Sequence, residues 1–411
     1  MRILKWTYAA LSLLMLQSCL DDSYKGSASD SLGQGELVPV RVSVGDPSGG
    51  IVHKKSSSLK GTGPIDNMSQ VDGKDIYVYA FSKDMLTSYA KKSEEDIVNT
   101  LVDGSIDNPG SRAGKRAKSR AGSMYLDWAE SKTELYYHSG DMSQLPYDFF
   151  AYYIDDMKVS ETDYKRSEHT IALNVEIDGS HDLMSAKAEI DEQQVQQCPL
   201  DERAYVKEYS YSYFTGIRNI LPKFYFKHHL TRLEFELVPG ETYERKFVAV
   251  QSIQILSKYK GLFTIADKGQ PSQLGVTFND DRKAFTLKEK NGAEILPNTY
   301  TLNTITSSSQ TVKSVQIGGS LLVAPQDLAF EAIVTINETR PNGTTTGNVV
   351  NRIEVKYTPA PGEMMYAAGN QYKIKFKIFG ATNVSANVTL EDWADGGKLD
   401  IDTESDKPNI N

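Results

Sequence analysis

Apolar residues recur at every second position through most of this chain. Tyr372, Ile374, Phe376 and Ile378 alternate with Lys373, Lys375 and Lys377. Leu233, Phe235 and Leu237 alternate with Glu234 and Glu236, and Ile171, Leu173, Val175 and Ile177 with Ala172, Asn174 and Glu176. Near the start, Val40, Val42 and Val44 alternate with Arg41 and Ser43. A period of two puts one face of an extended strand in a core and the other in water, a pattern no helix can satisfy. Shorter runs at 76–81, 147–153, 248–256, 328–336 and 384–390 fit the same reading. Turn dipeptides separate them: Asp72-Gly73, Asp178-Gly179, Asn291-Gly292 and Asn342-Gly343. Helical signal is confined to 84–102, around Ser93-Glu94-Glu95-Asp96, and to the Gln-rich stretch 191–197. The expected fold is all-β, antiparallel β-sandwich with minor helix. With 411 residues the chain is too long for one such unit. Two tandem sandwiches are expected, 36–222 and 223–400, divided near Leu221-Pro222, with a polar tail at 401–411. Segments 45–74, 103–123 and 267–285 read as long irregular loops, which are commonly functional or mobile.

The N-terminus reads as targeting rather than fold. Arg2 and Lys5 precede an apolar run from Trp6 to Leu16. A largely apolar run of eleven residues suits a signal-peptide core and falls short of the roughly 20 needed to span a bilayer. The run ends in Leu16-Gln17-Ser18-Cys19, which resembles the lipobox of bacterial lipoproteins. That resemblance implies loss of residues 1–18, acylation of Cys19 and an outer-membrane location; several acyl chains anchor a protein stably. Asp21 and Asp22 follow, resembling the surface-export signal of Bacteroidetes lipoproteins, and residues 19–35 form a Ser/Gly/Asp-rich tether. Loss of Arg2 and Lys5 takes the formal charge from −9 to about −11.

That acidity, with a pI near 5.3, argues against nucleic acid as a partner, because phosphate binding needs a basic surface. Two cysteines in the whole chain exclude a disulfide scaffold and a thiolate zinc cluster, and Cys198 is expected to be buried and inert. The six histidines form no metal-binding spacing. His228 and His229 are strand neighbours pointing to opposite faces. There is no GxSxG elbow, P-loop or dinucleotide fingerprint. Paired carboxylates such as Asp155-Asp156, Asp280-Asp281 and Glu94-Glu95 are ordinary at this charge, so a non-enzyme without metal or cofactor is expected. Five cations in Arg112–Arg120, with small residues between them, read as a solvated basic loop that trypsin-like proteases could cut. Tyr136-Tyr137 and the cluster Tyr205, Tyr209, Tyr211, Tyr213 and Phe214 read first as core and second as a ligand platform.

Six segments in order resemble the fimbrillin-like family of Bacteroidales, which includes Mfa-type and FimA-type pilins. They are the lipobox at Cys19; the strand Leu37 to Val44, with Gly73 to Phe81 after a polar loop; Tyr147 to Tyr153; Asp182 to Ala186; Phe226 to Phe235; and Tyr372 to Ile378, followed by Asp392-Trp393. The resemblance implies two transthyretin-like sandwiches and a fimbrial subunit, exported as a lipoprotein, that serves cell-surface adhesion. It implies proteolytic removal of the first strand, here carrying Val38, Val40, Val42 and Val44, and polymerisation by strand exchange with other fimbrial subunits. The donor would be the C-terminal region, Trp393 to Asn411. Family members cut by arginine-specific proteases carry Arg in the following loop. This chain has none there, and Lys54, Lys55, Lys60 and Lys74 are the candidate processing sites. If the strand stays in place, the alternative is an anchor or accessory subunit, or a monomeric surface lipoprotein binding a host protein or glycan.

Overall fold

Strands dominate because β-branched and aromatic residues alternate with polar ones over lengths that pleated strands match. The computed structural model describes residues 37–44, 64–65, 68–83, 89, 100–107, 111–119, 125–129, 135–190, 192–269, 273–307, 309–310, 312–391 and 393. The expected signal peptide, the tether with Cys19, Asp21 and Asp22, the loop lysines 54, 55 and 60 and the tail lie outside them. So does most of the helix expected at 84–102, whose last residues form the strand Thr100–Val102.

An antiparallel sheet runs in the order Lys227–His228, Met184–Lys187, Tyr147–Tyr153, Asp75–Ser82, Lys115–Ser119, Leu126–Trp128, with Thr100–Val102 also on Asp75–Ser82. Its two central strands, Asp75–Ser82 and Tyr147–Tyr153, are buried on both faces, which is why their sequences read as near-continuous apolar runs. Tyr79, Phe81, Phe150 and Tyr152 face the main core, together with Leu173, Val175 and Phe263. Ile76, Val78, Phe149 and Ala151 face a second core, which includes Val38, Val40 and Val42.

A four-stranded antiparallel sheet orders Gly275–Phe278, Lys260–Asp267, Thr170–Glu176 and Tyr164–Arg166. Strands from both sides of position 222 therefore share this sheet and one core. The remaining sheets alternate cleanly. One orders Val315–Val323, Thr231–Pro239, Gln371–Gly380 and Asn383–Glu391, its central pair parallel. The other orders Arg282–Thr286, Phe247–Lys258, Phe330–Thr339 and Val349–Val355, with Tyr300–Asn303 also on Phe247–Lys258. Thr231–Pro239 and Phe330–Thr339 bury every second residue, as strands with one face in the core and one in water require.

Two expectations need correction. The basic stretch is no loop: Lys115–Ser119 is an interior strand of the first sheet. Ala117 is buried, Lys115 carries its ammonium 5.7 Å from the Trp128 ring, and Arg116 and Lys118 reach Asp75 at 3.2 and 3.5 Å. Alternation with a small inward residue and paired outward cations makes the strand. The entry needs Gly114, at φ +85°, because a Cβ there would lie 2.9 Å from the Tyr79 ring. Likewise the stretch 267–285 holds the strands Gly275–Phe278 and Arg282–Thr286. The helix expected at 191–197 is present as Glu192–Gln197.

Candidate functional site

Segment 37–44 is laid into a slot on the second core. Val42 is fully buried, Val38 and Val40 keep 4% and 2% of their surface, and Val44 is partly buried. Leu37 and Arg41 face solvent. One backbone edge is tied to Leu126, Leu135 and Tyr137. The Val40 amide donates to Leu135 O at 2.6 Å, Tyr137 to Val38 O at 2.9 Å and Leu126 to Val42 O at 3.0 Å. The Trp128 indole N–H adds a bond to Val40 O at 3.1 Å. The other edge meets 222–224: Ser43 donates to Pro222 O at 2.9 Å, and Ser43–Val44 pairs in parallel with Lys223–Phe224. Gly216 makes room for this fit, since a Cβ there would stand 2.7 Å from Val38 Cγ1. Tyr137, Tyr211 and Tyr213 are walls of the same core. Tyr205 remains outside, more than half exposed and stacked on Tyr209 at 6.2 Å.

After the undescribed stretch 45–63 the chain is clamped at Ile65. Its N–H donates to Asp182 Oδ2 at 3.0 Å, and its C=O accepts the Trp393 indole N–H at 3.3 Å. Trp393 is buried and stacks on His228 at 4.1 Å, and His228 Nδ1 lies 3.0 Å from Asp182 Oδ2. Asp182, wholly buried, also receives support through its own N–H, which donates to Asp155 Oδ2 at 3.4 Å. Trp393 therefore touches Ile65, 328 positions earlier in the chain.

Lys74 is held in this same network. Its ammonium lies 3.0 Å from Asp155 and 2.8 Å from Asp156, and the Asp155 carboxylate is fully buried. Burial pulls the Lys74 ammonium down, but Asp156 and Asp155 outweigh it and hold its pKa above the ordinary value. Burial, then Asp155, push the Tyr153 hydroxyl up, so it stays a donor to Asp155 at 2.8 Å. His228 and His229 do point to opposite sides: His229 accompanies Ser185 at 2.7 Å and the Phe263 ring. Cys198 is buried beside Val195 and Val206, and burial raises its thiol pKa.

The expected strand 37–44 is regular only at Ser43–Val44, and residues 37–42 are held by bridges and backbone hydrogen bonds beside the clamp at Ile65. The fimbrillin-like family model matches residues 111–393. This chain belongs to the fimbrillin-like family. Among curated proteins none matches it. Similar solved structures include a protein proposed for cell adhesion from Bacteroides uniformis, 14% identical over 89% of this chain and 100% of that one, with a TM-score of 0.44. The tip fimbrial protein Mfa3 from Porphyromonas gingivalis, with C-terminal truncation, is 8% identical over 86% and 98%, TM-score 0.31. The fimbrial anchor protein Mfa2 from the same organism is 10% identical over 78% and 91%, TM-score 0.26. In this fimbrillin-like chain the valine alternation announced the seated segment. Asp182, His228 and Trp393 lie in three of the segments that carry the family resemblance, but that they meet did not announce itself, because the clamp's members are up to 328 positions apart.

Proposed function

We propose that this chain is a fimbrial subunit or accessory subunit, exported as a Cys19-linked lipoprotein, whose segment 37–44 is a removable strand. The observation that supports the reading is the seating of Val38, Val40 and Val42. Each buried valine contributes about 1.5–3 kcal/mol before entropic costs, and a replacement strand of similar pattern would regain that along with the edge hydrogen bonds. Donor-strand exchange with another fimbrial subunit follows from that physics. The cut falls between residues 45 and 63, with Lys54, Lys55 and Lys60 as the sites. Lys74 is the poor site, because its side chain is engaged by two carboxylates and it directly precedes the strand Asp75–Ser82. The Ile65 clamp then keeps the new N-terminus docked after cleavage.

The test is limited trypsin digestion of the purified precursor, followed by intact mass and size analysis. The reading expects loss of the segment before Lys55, Ser56 or Gly61 and the appearance of detergent-resistant oligomers. A combined Lys54→Gln, Lys55→Gln, Lys60→Gln variant is expected to lose both. Oligomers formed equally well by the uncut variant would refute removal of the strand as the trigger.

A further inference from the structure

The outer face of the sheet containing Thr170–Glu176, Lys260–Asp267 and Gly275–Phe278 carries a groove of about 760 Å³. That volume lies within the roughly 300–1,000 Å³ range of small-molecule sites. Sheet register builds its floor in two rows. In the first, Leu262 stands opposite Asn174 on one neighbour and Thr277 on the other. In the second, Lys260 stands opposite Glu176, at 3.3 Å, and its carbonyl accepts the Asn279 N–H. Strands about 4.8 Å apart and a repeat of about 6.8 Å make this patch roughly 10 by 7 Å. Met157 and Val159 give it an apolar side.

Three properties define what fits. The lining has no net formal charge: Lys260 pairs with Glu176 at 3.3 Å, and the other two charged residues, Lys158 and Asp163, are of opposite sign. Leu262 is exposed, at 40%, in the middle of the polar positions. Asn174 and Thr277 are exposed and offer donors and acceptors to solvent. A phosphate or another anion finds no surplus of positive charge here, and an apolar peptide face would strand the polar row. A neutral, polyhydroxylated ring matches: its C–H face covers Leu262 and Met157, and its hydroxyls reach Asn174, Thr277, Glu176 and Asn279. We infer that this groove is a saccharide-binding site for a neutral hexose or disaccharide unit. It is separate from the segment 37–44 and does not depend on strand exchange.

The test is a titration of the isotope-labelled precursor with maltose, lactose, cellobiose and mannobiose, followed by amide chemical shifts. At least one sugar is expected to shift the amides of Asn174, Lys260–Leu262 and Thr277–Asn279 with saturable curves. Asn174→Ala and Leu262→Lys, both at exposed positions, are expected to weaken that binding at least tenfold with unchanged thermal unfolding. No saturable shift for any of the four sugars up to 50 mM (roughly the weak end of specific binding), shifts centred elsewhere, or binding untouched by both variants would overturn the assignment. The trypsin assay above reads strand removal alone, so either proposal can fail without the other.

Discussion

At the scale of single residues, the fold is sensitive where burial and charge meet. Val42 has no exposed surface, so Val42→Asp forces a carboxylate into an apolar slot. We predict a loss of several kcal/mol, read as a lower urea midpoint at constant m-value, while Arg41→Asp on the wet side stays within about 0.5 kcal/mol. His229 gives a pH signature. Burial lowers its pKa from 6.5 to about 4, with His228 and Lys227 adding to the drop and Asp182 opposing it. Between those values the unfolded chain takes up a proton that the folded chain refuses. Stability from this group is therefore intact above pH 6.5 and falls as pH drops toward 4, by about 3 kcal/mol in all. His229→Gln is expected to flatten that part of the stability curve, measured by urea unfolding at pH 7.0 and 4.5. An unchanged acid slope would show that His229 is not the group responsible.

At the scale of elements, alternation made most strands legible. Val40 and Val42, the Tyr372–Ile378 ladder and Leu233–Leu237 each bury the residues their spacing assigns to the core, while Val44 is only partly buried. The stretch 112–120 was not legible. Cations normally mark solvated loops, and nothing local shows that Asp75, some forty positions away, pairs with Arg116 and Lys118 on a neighbouring strand. The clamp is likewise a product of tertiary contact alone. It makes a prediction about elements rather than residues: Trp393→Ala removes both the bond to Ile65 O and the stack on His228. Hydrogen exchange at the Ile65 amide is expected to accelerate at least tenfold, with exchange in the strand Phe330–Thr339 unchanged. Uniform acceleration across the molecule would instead mean global destabilisation, not release of a clamp.

At the scale of the whole molecule, the all-β architecture followed from periodicity, and the family from ordered segments that the match over 111–393 covers in large part. The sharing of one sheet by Thr170–Glu176 and Lys260–Asp267 did not follow, because strand pairing across some ninety residues leaves no trace in local pattern. On the proposed function, a cut within 45–63 would remove the buried segment 37–44 and leave a chain still held at Ile65 and open to a replacement strand. The most direct test is the mature N-terminus of the protein recovered from the surface of its native cells, by mass spectrometry. Removal of the segment predicts a chain beginning at Lys55, Ser56 or Gly61, without Cys19. A lipid-bearing Cys19 as the sole N-terminus, or a start at Asp75, would contradict it.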